Sequence, residues 1–121
     1  MSWRIEVSPA AFIDLSEEDA TELFGVLLDN AVKWTRSEIR VTSQSEHCRL
    51  RVDIEDDGPG VPSEQIARLG QRGLRFDETT EGTGLGLSIA ADIIEAYAGE
   101  MTFAARLPRG LCVSVILPRR A

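Results

Sequence analysis

The chain has 121 residues with a formal net charge of −7, and 43% of its residues are hydrophobic. This length suits one domain with a single core, and the acidic balance disfavours binding to nucleic acid or to an anionic membrane surface. No apolar run approaches the ~20 residues of a membrane span, and no signal pattern is present. Cys48 and Cys112 form no CxxC pair and are expected to be buried, reduced thiols of a cytoplasmic domain.

The N-terminal part of the chain predicts one strand and one long amphipathic helix. Trp3, Ile5 and Val7 alternate with polar residues, which is typical of a half-buried strand. Ser16 stands three residues before Asp19, the spacing of a helix-capping pair. The apolar stripe of the helix consists of Leu23, Leu27, Ala31 and Trp34. The helix is expected to end near residues 35–37.

Four further strands and a second helix complete the prediction. The strands lie at residues 39–42, 50–54, 101–105 and 112–117 and form two antiparallel hairpins. Polar residues 43–47 connect the first hairpin. Glycines open the second helix at residues 82–86, and Gly99 takes the C′ position after its end. The predicted fold is α+β, a two-layer α/β sandwich. A mixed, mostly antiparallel sheet of about five strands is covered on one face by about three helices, one of them short, at residues 63–69.

Residues 61–81 form a polar connection between two glycine-rich stretches. Connections of this length in a compact domain are usually functional, and this one is predicted to be a lid over a ligand site. Arg72 lies among glycines in the lid, from where it could reach a triphosphate with bidentate contacts, and Arg75 could do so too. The alternative is that both are solvated surface arginines.

A stretch from Asp56 to Gly60 precedes the lid. Asp56 ends a strand, where its carboxylate could accept hydrogen bonds from an exocyclic amine such as that of adenine. Gly58 and Gly60 would let the backbone approach a flat ring closely. The same five residues could also form a turn without a ligand, since Asp, Gly and Pro all favour turns.

Asn30 and Lys33 are three residues apart and therefore share one face of the first helix. The amide oxygen of Asn30 suits Mg²⁺, and the flexible ammonium of Lys33 suits phosphate as a point charge. Trp34 could stack on a base, although a tryptophan at the end of an apolar stripe is more often part of the core. Taken alone, Asn30 and Lys33 would be ordinary polar helix residues.

The run from Gly82 to Leu87 should place free backbone N–H groups at a helix N-terminus, a natural position for phosphate oxygens. The run fits neither the dinucleotide-binding glycine fingerprint nor a P-loop, because Leu87 stands at the third glycine position and no Lys-Ser/Thr pair follows. Its other interpretation is a hinge, which a lid would also need. His47, the single histidine, has no acid or nucleophile beside it and is not predicted to be catalytic.

Three motifs in this order resemble the catalytic ATP-binding domain of sensor histidine kinases, in the superfamily shared with gyrase, Hsp90 and MutL. Residues 27–35 are similar to the family's N box, residues 56–60 match its DxGxG G1 box, and residues 82–87 match its G2 box. Residues 71–80 resemble the ATP lid of PhoQ-type sensor kinases. The resemblance covers nearly the whole chain, residues 1–121, and implies the Bergerat ATP-binding fold.

The resemblance also implies a role for each matching residue. Asn30 would coordinate Mg²⁺ and Lys33 would contact phosphate, so these two are the catalytic candidates. Trp34 would pack on or near the adenine, Asp56 would receive its amino group, and Arg72 would reach the triphosphate from the lid. The other nucleotide-binding positions would be Gly58, Gly60, Gly82, Thr83, Gly84, Leu85 and Gly86.

The implied function is ATP-dependent phosphoryl transfer in two-component signal transduction. The domain would bind Mg-ATP and donate the γ-phosphate to a histidine on a separate dimerisation domain of the same sensor, upstream of a response regulator. No nucleic acid and no direct membrane contact are implied. The chain would be a monomeric fragment that lacks the dimerisation helices, at the cytoplasmic end of a membrane-bound bacterial sensor.

Val26 departs from the family pattern. The N box usually has a second Asn at this position, four residues before Asn30, and the hydrolysing relatives have a Glu there as the general base. Val26 therefore argues against a gyrase-like or Hsp90-like ATPase. It also leaves open a nucleotide-binding regulatory module without transfer activity. A serine kinase of the anti-sigma type, which shares these boxes, is a further alternative.

Overall fold

The computed structural model describes residues 2–7, 15–46, 48–60, 83–107 and 109–118, with only the backbone described at residues 46 and 83–88. The elements in chain order are β1 (Ser2–Glu6), α1 (Glu17–Trp34), β2 (Glu38–Glu46), β3 (Arg49–Asp56), α2 (Thr83–Ala96), β4 (Glu100–Ala105) and β5 (Leu111–Pro118). They build one five-stranded sheet in the order β1-β2-β3-β5-β4. β1 is parallel to β2 and the other neighbours are antiparallel.

The predicted mixed, mostly antiparallel five-stranded sheet is thus confirmed. Two helices lie within the described residues, whereas the third predicted helix, at residues 63–69, falls outside them. Of the two helices that are described, neither is sufficiently long and apolar to cross a lipid bilayer.

Both described helices pack on the same face of the sheet. Leu50 pairs with Leu117 and Val52 with Val115 across the β3–β5 ladder, and all four side chains are buried. The helices complete this cluster with Leu23, Leu27, Ala31, Ala90, Ile93 and Ile94. Complete burial of one such leucine or isoleucine contributes roughly 1.5–3 kcal/mol, so this shared apolar face holds the two layers together.

The two helices are joined at the start of α1. The Ser16 hydroxyl accepts a hydrogen bond from the Asp19 N–H at 3.1 Å, which confirms the predicted helix cap. The Asp19 carboxylate in turn accepts a hydrogen bond from the hydroxyl of Tyr97, just beyond the end of α2. At the other end of α1, the N–H of Thr35 donates to the carbonyl of Ala31 at 2.8 Å.

The apolar side chains of the first strand are exposed, and the prediction that they would be half-buried was wrong. Trp3, Ile5 and Val7 are 44%, 65% and 42% exposed. The physical reason is position, because among the described strands β1 is an edge strand that pairs with β2 alone, while the described helices contact β3 and β4.

β2 is longer than its sequence predicts. It continues to Glu46 through the polar residues that were expected to be the connection. Ser43 pairs with Val52 and Ser45 with Leu50 across the ladder. Ladder hydrogen bonds to β3 therefore outweigh the turn-like composition of this segment.

The two cysteines are free thiols in different surroundings. Cys48 lies in the turn between β2 and β3 and is exposed, so the expectation that it would be buried was wrong. Cys112 lies in β5 and is half-buried, and its removal from water raises the pKa of its thiol. The apolar pattern that predicted burial belongs to the neighbouring strand β3, whereas Cys48 lies in the turn before that strand.

The end of α2 uses Ala98, and not Gly99, as its left-handed residue. Ala98 has a φ of 58°. Its N–H donates to the carbonyl of Glu95 at 3.1 Å, and the N–H of Gly99 donates to that of Ile94 at 2.9 Å, which is the Schellman pattern with Ala98 at C′. Gly99 is needed for a different reason, since a Cβ there would lie 2.6 Å from the carbonyl oxygen of Ile116.

Ala98→Gly is expected to stabilise the domain by roughly 1 kcal/mol, because glycine adopts the left-handed conformation without a Cβ penalty. Thermal unfolding followed by circular dichroism should show a Tm higher by about 4 °C. Gly99→Ala is the matched control and should lower the Tm. An unchanged or lower Tm in Ala98→Gly would show that the cap carries no strain.

Candidate functional site

The ends of α1 and β3 meet at one edge of the sheet. β2 begins a few residues after α1, and its residue Ile39 pairs with Asp56, the last residue of β3. On the other side Asp56 pairs with Leu111, the first residue of β5. The last turns of α1, with Asn30 and Lys33, therefore end beside Asp56.

Asp56 is a buried carboxylate, only 4% exposed. Its Oδ1 accepts the N–H of Gly58 at 2.9 Å. Removal from water is the strongest influence on the pKa of Asp56 and raises it; the Gly58 N–H acts in the opposite direction, and the charge of Asp57 adds to the increase. An ionised carboxylate offers about four acceptor positions, so Asp56 retains capacity to bind an N–H donor of a ligand.

Asn30, Lys33 and Trp34 lie together at the end of α1. Asn30 is half-buried and Lys33 is exposed. The Lys33 ammonium lies 5.6 Å from the centroid of the half-buried Trp34 ring, within cation–π range. Asn30 follows Asp19 by eleven residues, about three helical turns, so both lie on one side of α1, the side from which Asp19 reaches Tyr97. The ligand-binding roles of these residues stay predictions.

The second glycine run opens a helix, as predicted. α2 begins at Thr83, and Gly84, Leu85 and Gly86 belong to its first turn, where backbone N–H groups lack intrahelical partners. Gly82, Arg72 and the rest of residues 61–82 lie outside the described residues. Within the described part of the chain, no group of three or more His, Cys, Asp or Glu side chains is arranged to hold a metal ion.

Two glycines bring backbone segments together beside Asp56. A Cβ on Gly58 would lie 2.1 Å from the carbonyl oxygen of Trp34, and a Cβ on Gly110 would lie 1.9 Å from that of Asp56. Gly110 has a φ of +120° and Gly60, which adjoins it, a φ of +80°. Gly110 lies in the connection between the strands predicted at residues 101–105 and 112–117, and nothing local in the sequence indicates that this turn packs against Asp56.

Asp57 is the second residue near the site to which the sequence assigned no role. Its Oδ1 accepts from the N–H groups of Arg36, Ser37 and Glu38 at 2.9, 2.9 and 3.1 Å. The Thr35 hydroxyl lies 3.0 Å from the same oxygen and shares its single proton between it and the carbonyl oxygen of Glu38, at 2.9 Å. The Oδ2 of Asp57 accepts from the Ser37 hydroxyl at 2.5 Å. The Ser37 hydroxyl first, and then the N–H groups of Ser37, Glu38 and Arg36, hold the pKa of Asp57 well below its usual range. The carboxylate thus joins β3 to the segment that follows α1.

The sequence of this chain is similar to that of known proteins. Residues 16–121 match the family described as histidine kinase-, DNA gyrase B- and HSP90-like ATPase. Sensor protein kinase CarS of Pseudomonas aeruginosa is 42% identical over 118 residues, which are 98% of this chain and 26% of CarS. The two-component sensor PhoQ of the same organism is 39% identical over 84% of this chain and 23% of its own length. The chain spans about a quarter of these relatives.

Solved structures share the fold. The catalytic domain of the histidine kinase ThkA superposes with a TM-score of 0.82 at 25% identity, over 97% of this chain and 78% of that one. Full-length ShkA, solved in complex with AMPPNP, gives a TM-score of 0.76 at 26% identity, over 96% of this chain and 25% of that one. The chain belongs to the histidine kinase-, DNA gyrase B- and HSP90-like ATPases, and its relatives include sensor histidine kinases.

Proposed function

We propose that this chain is a protein-histidine kinase catalytic domain. It binds ATP together with Mg²⁺ and donates the γ-phosphate to a histidine on a separate phosphoacceptor domain of the same sensor, which then serves a response regulator. The observation that carries the proposal is the buried Asp56 carboxylate at the sheet edge where α1, with Asn30 and Lys33, ends. The AMPPNP bound by ShkA, which shares the fold, also supports it.

Asp56 is suited to recognise adenine. Adenine presents an amino group at the position where guanine presents a carbonyl oxygen. A buried carboxylate accepts from the amino group and repels the carbonyl oxygen, so it should select ATP over GTP. Low water access strengthens this discrimination, because an unpaired buried acceptor is costly.

The end of α1 would bind the charged part of the substrate. Lys33 offers the one lysine ammonium of the chain as a point charge for phosphate oxygens. Asn30 offers a single amide oxygen, so a magnesium ion there would take its remaining ligands from substrate phosphates and water. Bound ATP supplies the phosphoryl group, while these residues supply position and charge neutralisation, the main requirements of phosphoryl transfer.

A second candidate function is nucleotide binding without transfer. The observation that favours it is Val26, which packs against the core one turn before Asn30 and offers no polar atom there. The two candidates differ in one assay, transfer of labelled γ-phosphate to an added phosphoacceptor domain from a related sensor kinase. Labelled acceptor histidine supports the kinase, and nucleotide binding without labelling supports the second candidate.

The proposal further includes a monomeric isolated domain on the cytoplasmic side of its sensor.

Asn30→Ala is expected to weaken ATP binding about tenfold in the presence of Mg²⁺ and to leave Mg²⁺-free binding unchanged. The reason is that the substitution removes the amide oxygen that would coordinate Mg²⁺. Calorimetric titration with ATP and GTP, each with and without Mg²⁺, measures this. Glu22→Ala, at an exposed position of the same helix, is the control. Equal Mg²⁺ dependence of ATP binding in wild type and Asn30→Ala would exclude Asn30 as a ligand of Mg²⁺.

A further inference from the structure

We propose that Asp57 is a positioning residue of the nucleotide site. Its carboxylate joins the end of β3 to residues 35–38, here named the α1–β2 connection, and thereby sets the distance between Asn30 and Asp56. The inference rests on the proposed function, because it concerns the placement of groups that would bind opposite ends of one nucleotide.

Each group that hydrogen-bonds to the Asp57 carboxylate is a donor from the α1–β2 connection. Three backbone N–H groups and two hydroxyls of the α1–β2 connection converge on the carboxylate, at distances from 2.5 to 3.1 Å. An ionised carboxylate is purely an acceptor, and hydrogen bonds to it are roughly twice as strong as those between neutral groups. The residue type therefore fits its surroundings, and its low pKa keeps it charged.

The α1–β2 connection continues directly from α1. The N–H of Thr35 still donates to the carbonyl of Ala31 at 2.8 Å, so the last helical turn is unbroken where the connection begins. The adjoining Gly58 passes so close to the carbonyl oxygen of Trp34 that a Cβ would lie 2.1 Å from it. Hydrogen bonds from one residue and close packing of the next thus fix the end of α1 against β3.

This attachment determines the site because its two halves lie on different elements. Asp56 is held in the sheet between Ile39 and Leu111, whereas Asn30 and Lys33 move with α1. A shift of the helix end would change the spacing between the base-binding and phosphate-binding groups. Misplacement of binding groups by about 1 Å can reduce a reaction rate by as much as a hundredfold.

The experiment compares two substitutions at one position. Asp57→Ala removes every contact with the α1–β2 connection. Asp57→Asn preserves shape, since the amide oxygen can still accept from the backbone N–H groups nearest to it through its two lone pairs, and the amide nitrogen can donate to the Ser37 hydroxyl. Each variant is titrated with Mg-ATP and with adenosine, at a temperature at which circular dichroism shows it to be folded.

Asp57→Ala should weaken Mg-ATP binding about tenfold and weaken adenosine binding much less, because adenosine lacks the phosphates that Asn30 and Lys33 would bind. Asp57→Asn should retain most of the Mg-ATP affinity. General damage to the fold would lower the affinity for Mg-ATP and for adenosine by similar factors. Equal losses for both ligands, or no loss for Mg-ATP, would overturn the inference.

Two controls keep the result interpretable. A wild-type domain that binds neither ligand would contradict the proposed function itself, whereas normal wild-type binding with an unaffected Asp57→Ala contradicts only the role of Asp57. Should Asp57→Ala not fold, the double variant Thr35→Val and Ser37→Ala takes its place, since it removes two hydroxyl donors and keeps the backbone donors. The double variant should bind Mg-ATP about threefold more weakly and bind adenosine as wild type does. An unchanged Mg-ATP affinity, or an equal loss of affinity for both ligands, would overturn the inference.

Discussion

Asp56→Asn is expected to weaken ATP binding by roughly ten- to a hundredfold while the domain remains at least as stable as wild type. A hydrogen bond to a charged acceptor contributes about 1.5–3 kcal/mol, and each 1.4 kcal/mol is about tenfold in affinity. The amide retains an oxygen for the Gly58 N–H, but it also presents donors toward the amino group of adenine. The preference for ATP over GTP should therefore decline.

The stability of this variant follows from the pKa of Asp56. Burial raises the pKa above 3.8, its ordinary value, so the folded state disfavours the ionised form. At neutral pH the buried charge lowers stability; this penalty declines as the pH falls through the raised folded pKa and disappears below about 3.8. Asparagine carries no charge, so the Tm of Asp56→Asn at pH 7 should equal or exceed that of wild type.

Calorimetry with ATP and GTP and thermal unfolding at pH 7 test both parts of this expectation. Asp53→Asn is the matched control, because Asp53 lies on the same strand, on the opposite face of the sheet, where it pairs with Arg51 at 3.0 Å. It should leave ATP binding unchanged. Undiminished ATP affinity in Asp56→Asn would exclude Asp56 as the adenine-binding group.

Gly58→Ala is expected to destabilise the domain by about 3 kcal/mol, which corresponds to a Tm lower by roughly 10 °C. The added Cβ would lie 2.1 Å from the carbonyl oxygen of Trp34 and 3.0 Å from Oδ1 of Asp56. The first neighbour is backbone, so either the end of α1 or the end of β3 must move. ATP binding should weaken as well, because the movement separates the two halves of the site.

Gly25→Ala provides the control for this substitution. Gly25 lies on an exposed face of α1, and a Cβ there would have no atom within 4 Å. Alanine is the better helix former, so this variant should gain up to about 1 kcal/mol. Thermal and urea unfolding of both variants measure the difference. A Gly58→Ala domain with the stability of wild type would show that the close approach to Trp34 is not required.

Features that depend on neighbours in sequence were predictable. The start of α1 follows from the capping pair Ser16 and Asp19, which lie three residues apart. Its buried stripe follows from helical spacing. The strands predicted at residues 50–54 and 112–117 lie within β3 and β5, and the glycine run predicted where α2 begins. The three motifs, read in order, predicted the family that the comparisons show.

Errors occurred where a residue's environment depends on distant elements. The alternation of β1 predicted half-buried side chains, but burial requires a covering layer, and the described part of the chain provides none over this edge strand. The polar composition of residues 43–46 predicted a connection, but pairing with β3 makes them strand. In both cases the position of the strand in the sheet, and not its local pattern, decided the outcome.

The same distinction separates Asp56 from Asp57. The residue types and order of the site, with an acid at a strand end before two glycines, are legible in the chain. The different tasks of the two adjacent acids are not. Asp57 finds its donors about twenty residues away in sequence, and the pairing of Ile39 with Asp56 brings them within reach. Strand register is a property of the packed sheet, so the residue that joins the two halves of the site becomes recognisable once that sheet is formed.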